Sequence, residues 1–288
     1  MNDGHVEPAS SVLLPLDGTR QSLAALPVAR RMAELAGATL HIVHAAESTL
    51  APDELRERLA LDADTLAGAV LDAVTGAPAA GIVRLAAERH SLLIVMAMHE
   101  GRPDADSGLG SVAAGVLRTA PCPVLLVPPE RLPAAWRLEQ VLLPQDGTPG
   151  TATAIGPTIH LAHRAGAELL VLHVAGPAMA ASEEAGALTV PRYMDQPQHE
   201  WPAWSREFLD RVRGMCHFPA ELDLKLFLAK GEPGTEILRL AAERDADLIV
   251  LPWHGSLAPD RALILKAVIR DAPCPVLVLP FKVAADSG

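Results

Sequence analysis

Cysteine is scarce and scattered: Cys122, Cys216 and Cys274 are the three in 288 residues, and no C-x-x-C pair occurs. Neither a disulfide framework nor a zinc knuckle is indicated, and buried thiols are the ordinary reading. Basic residues are also in short supply. Lys and Arg total 24 against 35 Asp and Glu, and a net charge of −11 repels a phosphate backbone over most of the surface, which makes nucleic acid a poor partner. No run reaches the roughly 18 apolar residues of a membrane span, and MNDGHVEPASSVLLPLDG lacks a basic segment followed by a long apolar one. The expectation is a soluble cytoplasmic protein with no membrane partner. Low-complexity tracts are missing too, and 50% hydrophobic residues suffice for one large core or two ordinary ones. Catalytic signatures are absent as well: no G-x4-G-K-[ST], no H-E-x-x-H and no G-x-S-x-G occurs. With no nucleophile, base and orienting group to name together, the expectation is no enzyme, or at most weak ATP hydrolysis.

What the chain has is itself, twice. Val12 to Thr19 reads VLLPLDGT and Val141 to Thr148 reads VLLPQDGT, differing only at Leu16 and Gln145. IVRLAAERHSLLIV from Ile82 to Val95 returns as ILRLAAERDADLIV from Ile237 to Val250, and APCPVLLVP from Ala120 as APCPVLVLP from Ala272. Collinear matches of this kind mean internal duplication. Short apolar runs alternating with segments of helical period predict βαβ units, an α/β fold with a parallel sheet in each copy. Five strands are expected near 11–16, 39–45, 67–74, 91–97 and 123–127, and five more near 140–145, 168–174, 222–229, 247–252 and 275–279. Gly37 and Gly166 punctuate the end of the first helix in each copy, and Pro27, with Gly156-Pro157 in the copy, should interrupt or kink it. The polar stretch 129–140 reads as a linker between domain 1 (1–128) and domain 2 (141–288). A longer insert, 176–217, carries His199, Trp201 and Trp204 and is unique to the second copy.

Ligands of open parallel sheets bind at the carboxyl ends of strands where the strand order reverses. Four stretches should meet there. Pro15 and Asp17 end strand one, and Asp17 has two readings: hydrogen-bonding an adenine or ribose, or stabilising the turn into the next helix. Asp146 poses the same choice. Val43 with His44, and Leu172 with His173, end strand two and either pack on a base or belong to the core. Met96, Ala97 and Glu100 follow strand four, and Gly110-Ser111-Val112 opens an apolar helix. Backbone N–H groups there would favour a phosphate, whereas Ser111 as an ordinary cap is the competing reading. Metal binding is not expected, because His41 and His44 fall on opposite faces of a strand and His160 and His163 lack a third ligand.

These residues resemble the universal stress protein family over nearly the whole chain, from about Val12 to Val127 and again from Val141 to Leu279. VLLPLDGT, AAERHSLLIVMAMHEGR and GSVAAGVLRTAPCPVLLV, with their second-copy counterparts, carry the resemblance. It implies two Rossmann-like, doubly wound domains of five strands and a two-fold assembly of domains, which a tandem chain could form internally through its final strands. A homodimer of chains is a further candidate assembly. Some members of the family bind ATP, with magnesium, through G-x2-G-x9-G-[S/T] preceded by the strand-one Asp; others lack the motif and do not. Here the first copy reads Ala97-x2-Glu100-x9-Gly110-Ser111, so the final element is present and the first two glycines are not. In the second copy Pro252 replaces the first glycine and Gly255 matches the second. Ala262 and Leu263 stand where Gly-Ser would be, in a loop three residues shorter. The resemblance therefore implies a stress-response protein that binds adenine nucleotide mainly in its first domain. The alternative is an interaction scaffold that works without nucleotide.

Overall fold

The repeated strand and helix patterns fold as two similar units in the computed structural model, which describes residues 10–48, 50–98, 109–133, 135–146, 148–175, 206–207, 209–210, 219–255, 257 and 262–281. Glu100, Gly101, Cys216 and most of the 176–217 insert, with His199, Trp201 and Trp204, fall outside them. The chain divides at Arg137/Leu138 into two compact units.

In the first unit the chain runs β1 (Ser11–Pro15), α1 (Arg20–Leu23), α2 (Leu26–Ala36), β2 (Thr39–Ala46), α3 (Pro52–Arg58), α4 (Ala63–Leu66), β3 (Ala69–Thr75), α5 (Pro78–Glu88), β4 (Ser91–Ala97), α6 (Ser111–Thr119) and β5 (Val124–Val127). Its strands lie in the order β3-β2-β1-β4-β5, and every pair is parallel. The second unit runs β6 (Gln140–Pro144), α7 (Pro149–Ala152), α8 (Ile155–Ala165), β7 (Glu168–Ala175), β8 (Leu224–Lys230), α9 (Pro233–Glu243), β9 (Leu248–Trp253), α10 (Leu263–Asp271) and β10 (Val276–Pro280). Its order, β8-β7-β6-β9-β10, is the same topology and again parallel. The order reverses between β1 and β4, and between β6 and β9, so each unit has one crevice where ligands of this architecture bind.

Helices cover both faces, which is why the central strands read as unbroken apolar runs. Leu13, Leu14, Ile42, Ile94 and Leu125 are fully buried in the first unit, as are Leu142 and Leu143 in the second. Each such side chain contributes roughly 2 kcal/mol against leaving it in water. The stripe Ile82, Leu85, Ala86 buries one face of α5, and Ile237, Leu240, Ala241 do the same for α9. Gly37 and Gly166 end α2 and α8 at φ 62° and 66°, the left-handed stop expected of them. Pro27 and Pro157 sit in the first turns of α2 and α8, and the first helix of each copy is broken outright rather than bent. Proline is tolerated there because the first N–H groups of a helix have no intrahelical acceptor. The stretch 129–140 is not uniformly polar in its packing: a 3₁₀ turn spans Pro129–Arg131, and Trp136 and Leu138 are buried.

Two contacts show how the copies have diverged on one framework. A Cβ added at Gly115 of α6 would lie 2.8 Å from the Ala79 Cβ of α5; in the second unit the small partners are exchanged, and a Cβ at Gly234 of α9 would lie 3.3 Å from the Ala267 Cβ of α10. Either way one glycine lets the two helices approach. The second contact lies across β2 and β3, where His41 Nδ1 is 2.5 Å from Asp72 and Arg89 donates to the same carboxylate at 2.9 Å. At the corresponding places the second unit has Leu170 and Phe227, and Arg244 lies 4.7 Å over the Phe227 ring. An ion-paired cluster has become an apolar pair with a cation–π cover.

Candidate functional site

The chain leaves β1 through a pinned turn. Leu16 N donates to Val43 O at 2.8 Å, and His44 Nδ1 donates to Leu16 O at 2.8 Å. A carbonyl only accepts, so this contact fixes the proton on Nδ1 and leaves Nε2 of the neutral ring as an acceptor. His44 is 5% exposed, and its Nε2 has no hydrogen-bond partner among the described residues. Asp17 Oδ1 accepts from Thr19 N at 2.9 Å and Thr19 Oγ1 at 2.7 Å, while Thr19, not Asp17, caps α1 by accepting from Ser22 N. Gly18 turns at φ 89°, and a Cβ there would meet Arg58 O at 3.1 Å. The turn-stabilising reading of Asp17 is thus realised, and its exposed carboxylate also lines the crevice.

That crevice is a cavity of about 400 Å³, lined by Pro15, Asp17, Val43, Met96, Ala97, Gly110, Ser111 and Val112, together with Leu16, Ser22, His44, Pro78 and Ile82. Ser111 does not cap α6. Gly110 is the N-cap, in extended conformation and with no side-chain cap hydrogen bond, and Ser111 is the first helical residue. The first turn of α6 therefore presents backbone N–H groups and a hydroxyl to the cavity without a capping side chain of its own. No Lys or Arg is among the lining residues described.

The second unit repeats the turn with one change. Gln145 N donates to Leu172 O at 2.7 Å, and His173 Nδ1 donates to Gln145 O at 2.8 Å. His173 is fully buried, and burial pushes its pKa down against the opposing pull of the Gln145 carbonyl and Asp146. Asp146 Oδ1 accepts three bonds: Thr148 N at 2.8 Å, Thr148 Oγ1 at 2.7 Å and Thr151 Oγ1 at 2.6 Å. The matching cavity is larger, about 480 Å³, and different in character. Asp146, Leu172 and Pro252 line it, but Gly255 does not. Trp253, His254, Phe281 and Ile264 form much of the wall. The Trp253 and His254 rings stack at 5.6 Å and 18°, with Phe281 edge-on to His254 at 82°. Ala262, where the first unit has Gly110, is held at φ 53° and offers no cap to α10. Sequence reasoning missed this aromatic wall, although Trp253 and His254 directly follow strand four and Phe281 follows strand five.

Among the described residues no three His, Cys, Asp or Glu side chains are grouped to hold a metal ion. Cys122 and Cys274 are buried thiols whose pKa burial pushes up to about 12.

The universal stress protein family model matches residues 9–128 and again 138–280. The chain belongs to the universal stress protein family. Single-domain relatives align with about half of it: a universal stress protein of Thermus aquaticus is 32% identical over 148 residues, 48% of this chain and 96% of that protein. Universal stress protein YxiE of Bacillus subtilis is 27% identical over 146 residues, 49% of this chain and 97% of that protein. A crystal structure of a universal stress protein from Archaeoglobus fulgidus aligns with 94% of this chain and 96% of its own at a TM-score of 0.62 and 20% identity, which shows a shared fold. This is therefore a tandem universal stress protein, two family domains in one chain.

Proposed function

We propose that this universal stress protein binds an adenine nucleotide, ATP above all, in its first domain, and that the bound nucleotide governs its interaction with partners rather than feeding a catalytic cycle. The uncapped first turn of α6 opening into the β1/β4 crevice carries this reading. A triphosphate placed at Gly110-Ser111-Val112 would accept from backbone N–H groups that have no side-chain cap, at the positive end of a helix. The base end of the crevice supports the same reading. Pro15, Val43 and Met96 give apolar contact, and His44 Nε2 is an unused acceptor suited to an exocyclic amino group. Asp17 stands where a ribose hydroxyl would donate to it. Because no basic side chain lines the crevice, magnesium would have to offset the phosphate charge.

The second domain lacks these features: its helix starts with Ala262, Leu263 and Ile264, and Asp146 already accepts three hydrogen bonds. The test is ATP titration, with and without magnesium, of D17N and D146N variants. Asn can keep accepting from Thr19 or Thr148, so the turns persist. Weaker ATP binding in D17N alone is expected, whereas equal loss in both would overturn the assignment to the first domain. No saturable binding by the unmodified chain at millimolar ATP would leave the nucleotide-independent scaffold as the better account.

A further inference from the structure

The two copies of the strand-one motif differ at a single place, Leu16 against Gln145, and the structure gives that difference a consequence. Leu16 is 3% exposed and Gln145 2%, so an amide has been put where its sister domain keeps a hydrocarbon. Gln145 Nε2 donates to Thr151 O at 2.9 Å. That partner is an acceptor, so the nitrogen end of the amide is identified and the other end must be oxygen. Gln145 Oε1 is buried, borders the 480 Å³ cavity, and has no hydrogen-bond partner among the described residues. Leaving a buried acceptor unsatisfied is costly, and an apolar residue would avoid that cost.

The rest of the cavity says what would satisfy it. Trp253, His254 and Phe281 form an aromatic corner, with Leu172 and Ile264 on the wall. Aromatic faces and edges favour a flat ring. The only formal charge among the described lining residues is the Asp146 carboxylate, which disfavours an anion. We infer that the second domain binds a neutral, flat, ring-bearing small molecule whose edge N–H or O–H donates to Gln145 Oε1, a different ligand class from the nucleotide assigned to the first domain. The cavity volume lies within the range of small-molecule sites and accommodates a fused bicyclic ring. The inference concerns a separate cavity and does not depend on ATP binding in the first domain.

The probes are indole, which carries one N–H donor, and 1-methylindole, which has the same ring without it. Each is titrated calorimetrically into the full chain and into its Q145L variant, which installs the residue the first domain carries at this place. Thr151 O keeps a donor in that variant, because Ala154 N also reaches it at 3.2 Å. Indole should bind the unmodified chain roughly tenfold more tightly than 1-methylindole, the worth of one buried hydrogen bond. In Q145L the two probes should bind alike, and the ligand-free variant should melt no lower than the unmodified chain. Equal affinity of the two probes for the unmodified chain would overturn the inference. So would a preference for indole that survives in Q145L, a lower melting temperature of the variant, or no saturable binding of indole at all. The G110D variant of the first domain should bind indole unchanged.

Discussion

Replacing Gly110 by aspartate separates the phosphate cradle from the stability of the fold. Gly110 is the N-cap of α6 at φ −61° and ψ 151°, and a Cβ built there meets nothing within 4 Å. Aspartate is among the best N-cap residues and should gain a few tenths of a kcal/mol over glycine by accepting from the N–H groups of the first turn. The variant should therefore melt at or slightly above the temperature of the unmodified protein. The same carboxylate would occupy the donors proposed for the phosphates and place a negative charge about 4 to 5 Å from them. At an effective dielectric constant near 20, unit charges that close repel by about 3 to 4 kcal/mol, and magnesium would offset part of that. A loss of about a hundredfold in ATP affinity, roughly 2.7 kcal/mol, is the expectation. G110A carries no charge and should lose at most severalfold. Calorimetric titration of both variants, paired with thermal melts, reads the two effects independently. A folded G110D protein that binds ATP as tightly as the unmodified chain would refute the placement of the phosphates at α6.

Two further outcomes follow from packing and protonation. G115A forces a Cβ to within 2.8 Å of Ala79 and should destabilise the first unit by about 1 kcal/mol, the overpacking cost less the gain in helix propensity. Adding A79G recreates the exchanged pair Gly234 and Ala267 of the second unit and should restore most of the loss in denaturant unfolding; additive effects would refute the steric account. The pH prediction rests on His173, whose folded pKa is held below the ordinary 6.5 chiefly by burial. The unfolded chain then takes up the proton first, so stability is fully present above about pH 6.5 and falls as the pH drops through that value. Asp247, whose pKa burial raises from 3.8, acts with the opposite sign: it costs stability above its folded pKa, and that cost is relieved on acidification. Melting temperatures between pH 7.5 and 5.5 should therefore decline, with a flatter slope in H173N.

Much of the fold was legible because local rules and tertiary demands agree. Strands such as VLLPL and TLHIVHAA are apolar along both faces, as a sheet covered on both sides requires, and Gly37 and Gly166 mark the helix stops. The crevice was legible for a topological reason: residues at the carboxyl ends of β1, β2 and β4 must converge, so Pro15, Val43 and Met96 could be named from spacing. What escaped were consequences of side-chain packing across distant elements. Ser111 reads as a cap, but the helix begins one residue earlier and leaves it inside the first turn. Phe281 lies 136 positions from Gln145, and nothing in their spacing reports that they border one cavity. The Gln145 substitution was visible as a mismatch between repeats, yet only the geometry around its amide shows an acceptor without a donor.

The central claim, a duplicated fold with one nucleotide domain, is tested most directly by the stoichiometry of ATP binding to the intact chain in the presence of magnesium. One equivalent per chain, abolished by G110D, is the predicted result. Two equivalents, or one that survives in G110D, would contradict it.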